Sequence, residues 1–550
     1  MNSPRVRSAI FTAIVFVLAF DVAWFWQRQA GAYGSEFGGH PDEAAHYVTG
    51  LFVRDAIAAL PRCASARSLQ PLKPFADQND PAGFYAHYPK VALGVWPPAF
   101  YLAQATWTSA FGTHRLPILL LMTALAAALA TQLFAALRVE YGGWLAAIGA
   151  LALVSVPLVI EHYSMIMAEL LTAIFMFGAA AAWGRFLDGQ RSRDAIYFGV
   201  LAGFAIMTKG TAIALALHAP LALALTGRWR LLTRPALWIG AATVAITAGP
   251  WTWIFRDKGR EVGGWLETSP SWHFTRDAAP YYLGKLGLAL GVLLLVLACL
   301  GVVMKVLRPG LRPGLWASAG ALIIAVLGFQ MLLPVGLEAR HLVSVLPAVI
   351  MFSIAGLDAL RDAYRHRKGL PSSEPSPLAI AVFAVVVAGG VLLAHRIAPP
   401  DPKRWSGFAA IAEAVLNDPQ MKGRPVLVSS DATGEGMFIS EIAMRDHRPG
   451  AVVLRANKEL ASMDWAGRGI ATKFHSDEEL IAWIKSSGVG ALVVDPSMPE
   501  AKRGAHHDQL ILLCETHSEL FWPASSSPIV RGGETHSKPI RLYLVRRPAN

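Results

Sequence analysis

The stretch GGHPDEAAHYVTG, residues 38–50, places a polar cluster soon after the first long apolar run of the chain, residues 8–27. Two adjacent acids, Asp42 and Glu43, lie there among histidines and a tyrosine, in a chain that carries few charges. An apolar run of about 20 residues has the length that crosses a bilayer. The pattern therefore predicts membrane-spanning helices with a polar cluster close to one membrane surface.

The composition of the whole chain also indicates a membrane protein with several spans. Of its 550 residues, 54% are hydrophobic and only 16% are charged, which is too apolar for soluble domains with polar surfaces. The net charge of +11 suits basic cytoplasmic loops. Nucleic acid is not an expected partner, because the sequence lacks the aromatic and basic platform of single-strand binders. Membrane lipids are expected partners.

Apolar runs near the length of a membrane span recur along the chain and predict about eleven transmembrane helices. A break at Lys209 and Gly210 divides the run 196–226 into two short spans. The other predicted spans are residues 8–27, 116–137, 144–160, 170–187, 238–255, 286–307, 315–333, 342–360 and 378–394. Alternate short loops are basic, which places the N-terminus in the cytoplasm and the loop 28–115 outside.

The last part of the chain has a different character and predicts a small soluble α/β domain outside the membrane. Short buried strands are predicted at RPVLVSSD (424–431), GAVVLRAN (450–457) and VGALVVDPS (489–497), and helices at GEGMFISEIAMRD (434–446) and SDEELIAWIKSSG (476–488). The predicted organisation is a transmembrane module at residues 1–395, with its large first outside loop at 28–115, and an α/β domain at 396–550.

The acids at the span ends are candidates for chemistry, because a charge beside lipid is costly unless it is paired, hydrated or bound. One carboxylate can act as a general base while a neighbour orients it or holds a divalent metal over a phosphate. Asp42 and Glu43 fit these roles. Pro41 followed by two acids is also typical of an ordinary helix start, so the spacing alone leaves both interpretations open.

Six segments, taken in order, resemble one superfamily of membrane enzymes. They are HPDEAAHYVTG (40–50), YPKVALGVWPPAFYLAQA (88–105), SMIMAELLTAIFMF (164–177), LAGFAIMTKG (201–210), AGPWTWIF (248–255) and EARHLVSVLPAVIMF (338–352). Together they resemble the polyprenyl-phosphate-dependent glycosyltransferases of the GT-C fold, which include protein O-mannosyltransferases and the lipid A aminoarabinose transferase. The resemblance covers residues 1–360 and implies a polytopic α-helical GT-C membrane module.

The resemblance implies an inverting glycosyltransferase that moves a sugar from a polyprenyl-phosphate donor to a lipid, glycan or protein acceptor of the cell envelope. It also implies a place in the bacterial inner (plasma) membrane, with the active site and the C-terminal domain on the periplasmic side. Asp42 matches the first acid of the family and is the expected base. Glu43 and Glu169 are expected to position Asp42 or the acceptor, or to bind a divalent cation such as Mg²⁺ or Mn²⁺.

Cations are expected to hold the donor phosphate, because a glycosyl phosphate leaves as an anion. Lys209 and Arg340 are each predicted at an outer span end, where they can meet a lipid phosphate. Trp96 occupies the position at which some relatives have a lysine before Pro-Pro. Either Lys90 takes that phosphate contact, or the pocket is built differently.

Three further residues are predicted substrate contacts, and two of them have an ordinary structural alternative. His87 suits either a sugar contact or a common loop hydrogen bond. Trp96 suits either stacking on a sugar ring or an interfacial aromatic belt. Tyr47 lies one helical turn after Glu43, where its hydroxyl can reach the acids.

Three alternative functions stay open at this point. An oligosaccharide ligase that uses a diphosphate-linked carrier needs similar residues. A transporter or lipid flippase could use the same charges as a substrate path, although the sequence shows no paired broken spans in two similar halves. A non-catalytic assembly factor would need the outer domain alone and would tolerate loss of Asp42.

Overall fold

Long α-helices form the chain from its N-terminus to Ile397, and a mixture of strands and helices follows. The computed structural model describes residues 4–77, 80, 82–257, 272–334, 336–369, 376–462 and 469–546. The α-helices of the first part are Pro4–Gln29, Glu43–Ala66, Lys73–Ala76, Phe84–His87, Ala99–Phe111, Arg115–Ser155, Pro157–Tyr163, Glu169–Gly189, Ser192–Thr208, Leu215–Thr226, Pro235–Ile254, Trp272–Leu307, Pro313–Leu332, Leu346–Arg367 and Pro377–Ile397.

Six helices in the described ranges are long and apolar enough to cross a membrane. They are Val6–Gln29, Arg115–Ser155, Glu169–Gly189, Trp272–Leu307, Pro313–Leu332 and Pro377–Ile397. Arg115–Ser155 contains two of the predicted spans, and Gly142, at a φ of 75°, marks the kink between them. The chain is therefore a multi-pass membrane protein, as predicted.

The predicted number of spans exceeds the number of helices that meet this length and composition test. The four remaining predicted spans lie on the helices Ser192–Thr208, Leu215–Thr226, Pro235–Ile254 and Leu346–Arg367. The first two are short, because the chain breaks at Lys209, as the sequence predicts. Pro235–Ile254 contains prolines, threonines and tryptophans, and Leu346–Arg367 ends in charged residues, so neither helix is uniformly apolar.

Small residues let two helices of the bundle touch along their backbones. A side chain on Gly301 would lie 1.9 Å from the carbonyl oxygen of Phe352, and one on Gly356 would lie 2.0 Å from that of Leu297. Small residues at such crossings are typical of membrane helix pairs. This contact fixes the helix Leu346–Arg367, and the turn immediately before that helix carries Arg340.

The C-terminal part contains a five-stranded mixed sheet. The described strands of the C-terminal part are β1 Val426–Ser429, β2 Val453–Arg455, β3 Ala461–Ser462, β4 Ala471–Thr472, β5 Ala491–Val494, β6 Phe521–Ser527, β7 Val530–Arg531, β8 Glu534–Thr535 and β9 Ile540–Val545. The α-helices of this part are Phe408–Asn417, Ala432–Arg445, Ala456–Glu459, Asp477–Ser486 and Ala505–Thr516. The strand order of the sheet is β2-β1-β5-β9-β6. β2, β1 and β5 are parallel to one another, whereas β9 pairs antiparallel with β5 and β6 pairs antiparallel with β9.

The three apolar runs predicted as strands are β1, β2 and β5, and the two predicted helices of this part are also present. β1 and β5 are completely buried, which is why they read as continuous apolar runs. β6 and β9 were not predicted from the sequence; exposed polar residues interrupt the pattern of β6. The predicted limits of the two modules, 1–395 and 396–550, stay a prediction.

The helix Ala432–Arg445 of the C-terminal part packs on the helix Glu43–Ala66 of the first loop. The approach is close, because a side chain on Gly436 would lie 3.1 Å from the methyl group of Ala44. Ala44 is two residues after Asp42. The C-terminal part therefore lies next to the candidate base.

Hydrogen bonds fix the same contact at two other places. Glu36 accepts the backbone N–H groups of residues 407–409 at distances between 2.8 and 3.1 Å. Nε of Arg448 donates to Oδ2 of Asp55 at 2.7 Å. Because Arg448 and Asp55 are both largely buried, water does not compete strongly for this charged hydrogen bond.

Candidate active site

Asp42 lies immediately before the first turn of the helix Glu43–Ala66. Its backbone N–H donates to Nδ1 of His40 at 3.1 Å, which fixes the turn that carries it. The Asp42 side chain is 26% exposed, whereas Glu43 is buried. Of the two adjacent acids, only Asp42 is accessible to a substrate.

Four predicted residues from distant parts of the chain form one ionic cluster: Asp42, Arg340, Glu169 and Lys209. Nη1 of Arg340 donates to Oδ2 of Asp42 at 3.0 Å, and its Nε lies 3.6 Å from Oε1 of Glu169. Nζ of Lys209 lies 2.5 Å from the same Glu169 oxygen. Carboxylates and cations therefore alternate through the ionic cluster.

Breaks in the helices bring these side chains to one end of the bundle. Glu169 is the first residue of a spanning helix, and Lys209 sits in extended backbone directly after Thr208. Arg340 lies in a short 3₁₀ turn. Helix termini leave backbone groups without helical partners, so they lie where the protein or water can provide partners. This explains why the ionic cluster forms at a membrane surface.

The ionic cluster holds Asp42 as a carboxylate at neutral pH. Burial raises the pKa of Asp42, but His40 and Arg340 outweigh burial and hold that pKa below its usual value. Burial opposes the charge of Arg340 as well, but Glu169 and Asp42 raise the Arg340 pKa. Glu338 also pairs with Arg340. Asp42 is thus ionised, partly exposed and bound to a cation.

Glu43 points away from the ionic cluster and binds backbone instead. Its two oxygens accept the N–H groups of Gly39 at 2.9 Å and of Ile166 at 3.2 Å. Burial raises the pKa of Glu43 to about 7, although Lys403 and the two N–H groups act in the opposite direction. Glu43 therefore ties the Asp42 turn to the segment before Glu169.

Lys403 is the neighbouring cation of Glu43 and comes from the segment that follows the last apolar helix. Its side chain is buried, and its Nζ lies 4.0 Å from Sδ of Met165. A side chain on Gly39 would lie 3.1 Å from both the Lys403 ammonium and Oε2 of Glu43. Gly39 thus leaves room for the ammonium beside the carboxylate. No sequence pattern indicated a role for Lys403.

The contacts of Glu43 and Glu169 limit the metal site predicted there, and that site stays a prediction. One oxygen of Glu169, Oε2, is buried without a hydrogen-bond partner in the described part of the chain, so one ligand atom is available. The other oxygen is bound to Lys209, and both oxygens of Glu43 are bound to backbone. Across the described ranges, no group of three or more His, Cys, Asp and Glu side chains could hold a metal ion.

Lys90 and His87 lie against the C-terminal part of the chain rather than in the ionic cluster. Nζ of Lys90 donates to the carbonyl of Ala432 at 3.1 Å, and Nδ1 of His87 lies 2.9 Å from the carbonyl oxygen of Gly450. Burial lowers the pKa of Lys90 to about 7, and nearby Arg455 adds to this effect. Both residues form hydrogen bonds with the C-terminal part, and their predicted substrate contacts stay a prediction.

Tyr47 does not reach the acids. Its hydroxyl donates to the carbonyl of Thr113 at 2.5 Å, and its ring packs on Phe37. Helical spacing places Tyr47 one turn from Glu43, but the two buried side chains have different hydrogen-bond partners. The predicted hydrogen bond from Tyr47 to the acids is absent from their described contacts.

Trp96 stacks on His46, with ring centroids 4.3 Å apart, and His46 Nδ1 lies 2.9 Å from the hydroxyl of Tyr101. Burial lowers the pKa of His46 to about 4, although Asp42 acts in the opposite direction, so the ring is neutral at physiological pH. The sequence-based analysis missed Tyr101, which lies in the segment that contains Trp96 and is buried near Asp42 and Glu169.

Known proteins resemble this chain in one family segment and in overall fold. The family described as dolichyl-phosphate-mannose-protein mannosyltransferase matches residues 95–254, a segment that contains Glu169 and Lys209. No curated protein matches the chain. The crystal structure of ArnT from Cupriavidus metallidurans bound to undecaprenyl phosphate matches with a TM-score of 0.60 and 15% identity, over 98% of each chain. The chain has the GT-C fold.

The same GT-C fold relates the chain to the Archaeoglobus fulgidus oligosaccharyltransferase. The structure of that protein tethered to an acceptor peptide matches with a TM-score of 0.54 and 12% identity, covering 98% of this chain and 74% of the other. Its complex with Zn and sulfate matches with a TM-score of 0.52 and 13% identity, covering 88% and 68%. The GT-C fold that the sequence resemblance implied is thereby confirmed.

Proposed function

We propose that this chain is an inverting glycosyltransferase that moves a sugar from a polyprenyl-phosphate donor to a hydroxyl group of a cell-envelope acceptor. The observation that supports this proposal most directly is the ionic cluster. An ionised, partly exposed Asp42 is bound to Arg340 in one cluster with Lys209, at one end of an apolar helix bundle. A lipid-linked phosphate places its charge at that level of a membrane and its chain among apolar helices.

The proposed reaction is one displacement at the anomeric carbon of the sugar. The bond from that carbon to the phosphate oxygen breaks, and its electron pair leaves with the phosphate. The acceptor oxygen forms the new bond from the opposite face, and Asp42 takes the proton of the acceptor hydroxyl. Arg340 and Lys209 stabilise the negative charge that grows on the leaving phosphate. Glu169 holds both cations in place.

The proposal places the active site outside the cytoplasm. The basic short loops put the N-terminus in the cytoplasm, and the ionic cluster then lies on the other face of the bacterial inner membrane. The C-terminal part packs close to Asp42, because its Gly436 approaches Ala44, which is two residues after Asp42. That position suits a domain that helps to select the acceptor, which is a lipid, a glycan or a protein hydroxyl.

The experiment compares sugar transfer by the purified protein with transfer by Asp42→Asn, using radiolabelled polyprenyl-monophosphate sugars and extracted envelope acceptors. Transfer is expected to fall by about 10²–10⁴-fold, the range typical of a lost general base, while donor binding is retained. Asp401→Asn, an exposed position near the C-terminal part, is the matched control and keeps full activity. Equal transfer by wild type and Asp42→Asn would falsify the base, and consumption of only diphosphate-linked donors would identify a ligase.

A further inference from the structure

A second charged site lies at the end of the helix bundle opposite the ionic cluster. A cavity of about 460 Å³ there is bordered by four arginines and two aspartates, Arg185, Arg191, Arg193, Arg312, Asp188 and Asp194. The helix Glu169–Gly189 runs from the ionic cluster to this cavity. At about 1.5 Å per residue its 21 residues span about 30 Å, which is the thickness of the hydrocarbon core.

The two aspartates of the cavity are already engaged by the protein. Oδ1 of Asp188 accepts the N–H of Gly314 at 2.8 Å and lies 3.5 Å from Nη1 of Arg228. Asp194 is buried, and its Oδ1 lies 3.3 Å from Nε of Arg185. Both acids therefore organise the walls of the cavity. Neither acid forms an ion pair with Arg191, Arg193 or Arg312 within the described residues.

Arg191 and Arg193 are the cations that remain open. Both are exposed at the first turn of the helix Ser192–Thr208, and neither forms an ion pair within the described residues. Arg312, across the cavity, is half-buried; its Nη2 donates to the carbonyl of Ala136, and its Nε lies 3.7 Å from Oε1 of Glu140. A guanidinium group offers a planar pair of N–H donors that matches two phosphate oxygens.

The rim of the cavity is suited to a lipid rather than to a free ion. Tyr197, which also lines the cavity, and nearby Leu311 are exposed. Trp229 and Trp238 are exposed on the segment that follows Arg228. Tryptophan and tyrosine mark the level of lipid head groups, and basic pockets between membrane helices bind anionic head groups.

We propose that this cavity binds the phosphate-containing head group of an anionic phospholipid in the leaflet opposite the candidate active site. Arg191 and Arg193 contact the head-group phosphate, and Arg312 adds a third cation from the facing helix. The acyl chains lie along the exposed apolar surface beside Tyr197. The site does not depend on the proposed glycosyl transfer, because it lies about 30 Å from Asp42 and its neighbours.

Native mass spectrometry of the full chain tests this proposal after detergent exchange into mixtures of phosphatidylglycerol and phosphatidylcholine. Wild type is expected to retain one phosphatidylglycerol in clear preference to phosphatidylcholine. The R191Q/R193Q variant is expected to bind it at least ~10-fold more weakly, the scale of two lost basic contacts near a membrane surface. The R191K/R193K variant keeps the charge but loses the paired donors, so it should retain intermediate binding.

R367Q/K368Q is the matched control, because it removes two exposed positive charges from the end of the helix Leu346–Arg367 at the same membrane face. The proposal is wrong if wild type shows no preference for phosphatidylglycerol, or if this control loses lipid as strongly as R191Q/R193Q. A further arm adds millimolar inorganic phosphate. Full displacement of the lipid by phosphate would assign the cavity to a free anion and overturn the lipid site.

Discussion

The guanidinium group of Arg340 donates a hydrogen bond to Asp42 across 3.0 Å, although the two residues are 298 positions apart in the chain. The bond joins the first loop to the turn before a late helix. Under the proposed mechanism, Arg340 has two tasks, because it holds the base ionised and it faces the position of the leaving phosphate. The Arg340–Asp42 pair can therefore be tested by removing the positive charge in one variant and only the paired N–H donors of the guanidinium group in another.

Substitution of Arg340 is expected to reduce transfer in two steps. Arg340→Met removes the cation and should lower kcat/KM by about 10²–10³-fold, the loss typical of one electrostatic stabiliser. Arg340→Lys keeps the charge but loses the paired donors, so its activity should fall between wild type and Arg340→Met. Steady-state transfer kinetics measure both. The control is Arg541→Lys, at an exposed ion pair with Glu515; an Arg340→Met enzyme as active as this control would refute the role.

Chelation of divalent metals is expected to leave transfer unchanged. The carboxylates of the ionic cluster already have Arg340 and Lys209 as fixed cations, and Glu43 uses both oxygens on backbone N–H groups. Turnover is measured with and without EDTA, after dialysis and with Mg²⁺ or Mn²⁺ added back. Loss of activity that only added metal restores would contradict this prediction.

The activity should fall as the pH drops below about 7, because Glu43, whose pKa burial raises to about 7, then becomes protonated. When Glu43 is protonated, one of its two oxygens becomes a hydroxyl group and is a poorer acceptor for the N–H group of Gly39 or Ile166. Lys403 lowers the pKa of Glu43, so Lys403→Met should move the midpoint of the acid limb to higher pH. The pH dependence of kcat/KM provides the measurement.

Two variants separate this explanation from a general effect of pH. Glu43→Gln cannot titrate, so its lower activity should show no acid limb near pH 7. Lys422→Met removes an exposed lysine of the C-terminal part and should leave the wild-type profile unchanged. An acid limb that stays in place in both Lys403→Met and Glu43→Gln would show that another group titrates.

The sequence was sufficient for the parts of the site that depend on local pattern. Asp42, Glu169, Lys209 and Arg340 lie at breaks in apolar runs, so the alternation of spans alone predicts that they share a membrane face. Strands β1 and β5 could be predicted because burial on both faces leaves continuous apolar runs.

The contacts that could not be predicted depend on how distant segments pack. Lys90 and His87 are set by the docking of the C-terminal part on the first loop, which no short pattern encodes. Tyr47 has the helical spacing that suits a contact with the acids, but its ring packs on Phe37 and its hydroxyl donates to the carbonyl of Thr113. Lys403 lies outside every apolar run and every motif, and only the three-dimensional structure places it beside Glu43.

Lys90 and Lys209, which are both predicted on the outer face, should respond differently to the same substitution. Lys209→Met removes the partner of Glu169 and a cation for the leaving phosphate, so kcat should fall by about 10²-fold or more while the fold is kept. Lys90→Met removes a hydrogen bond to Ala432 and mainly loosens the contact with the C-terminal part.

Transfer kinetics and limited proteolysis of the purified variants distinguish these outcomes. Lys90→Met should keep kcat within about threefold of wild type. It should be cleaved faster in the segment between Ile397 and the first strand of the C-terminal sheet, because the lost hydrogen bond to Ala432 contributes about 1 kcal/mol to the docking of the C-terminal part. Lys209→Met should be cleaved like wild type. If Lys90→Met instead raises the KM for the donor without faster cleavage, Lys90 contacts the donor phosphate during the reaction, and the interdomain hydrogen bond describes only the resting state.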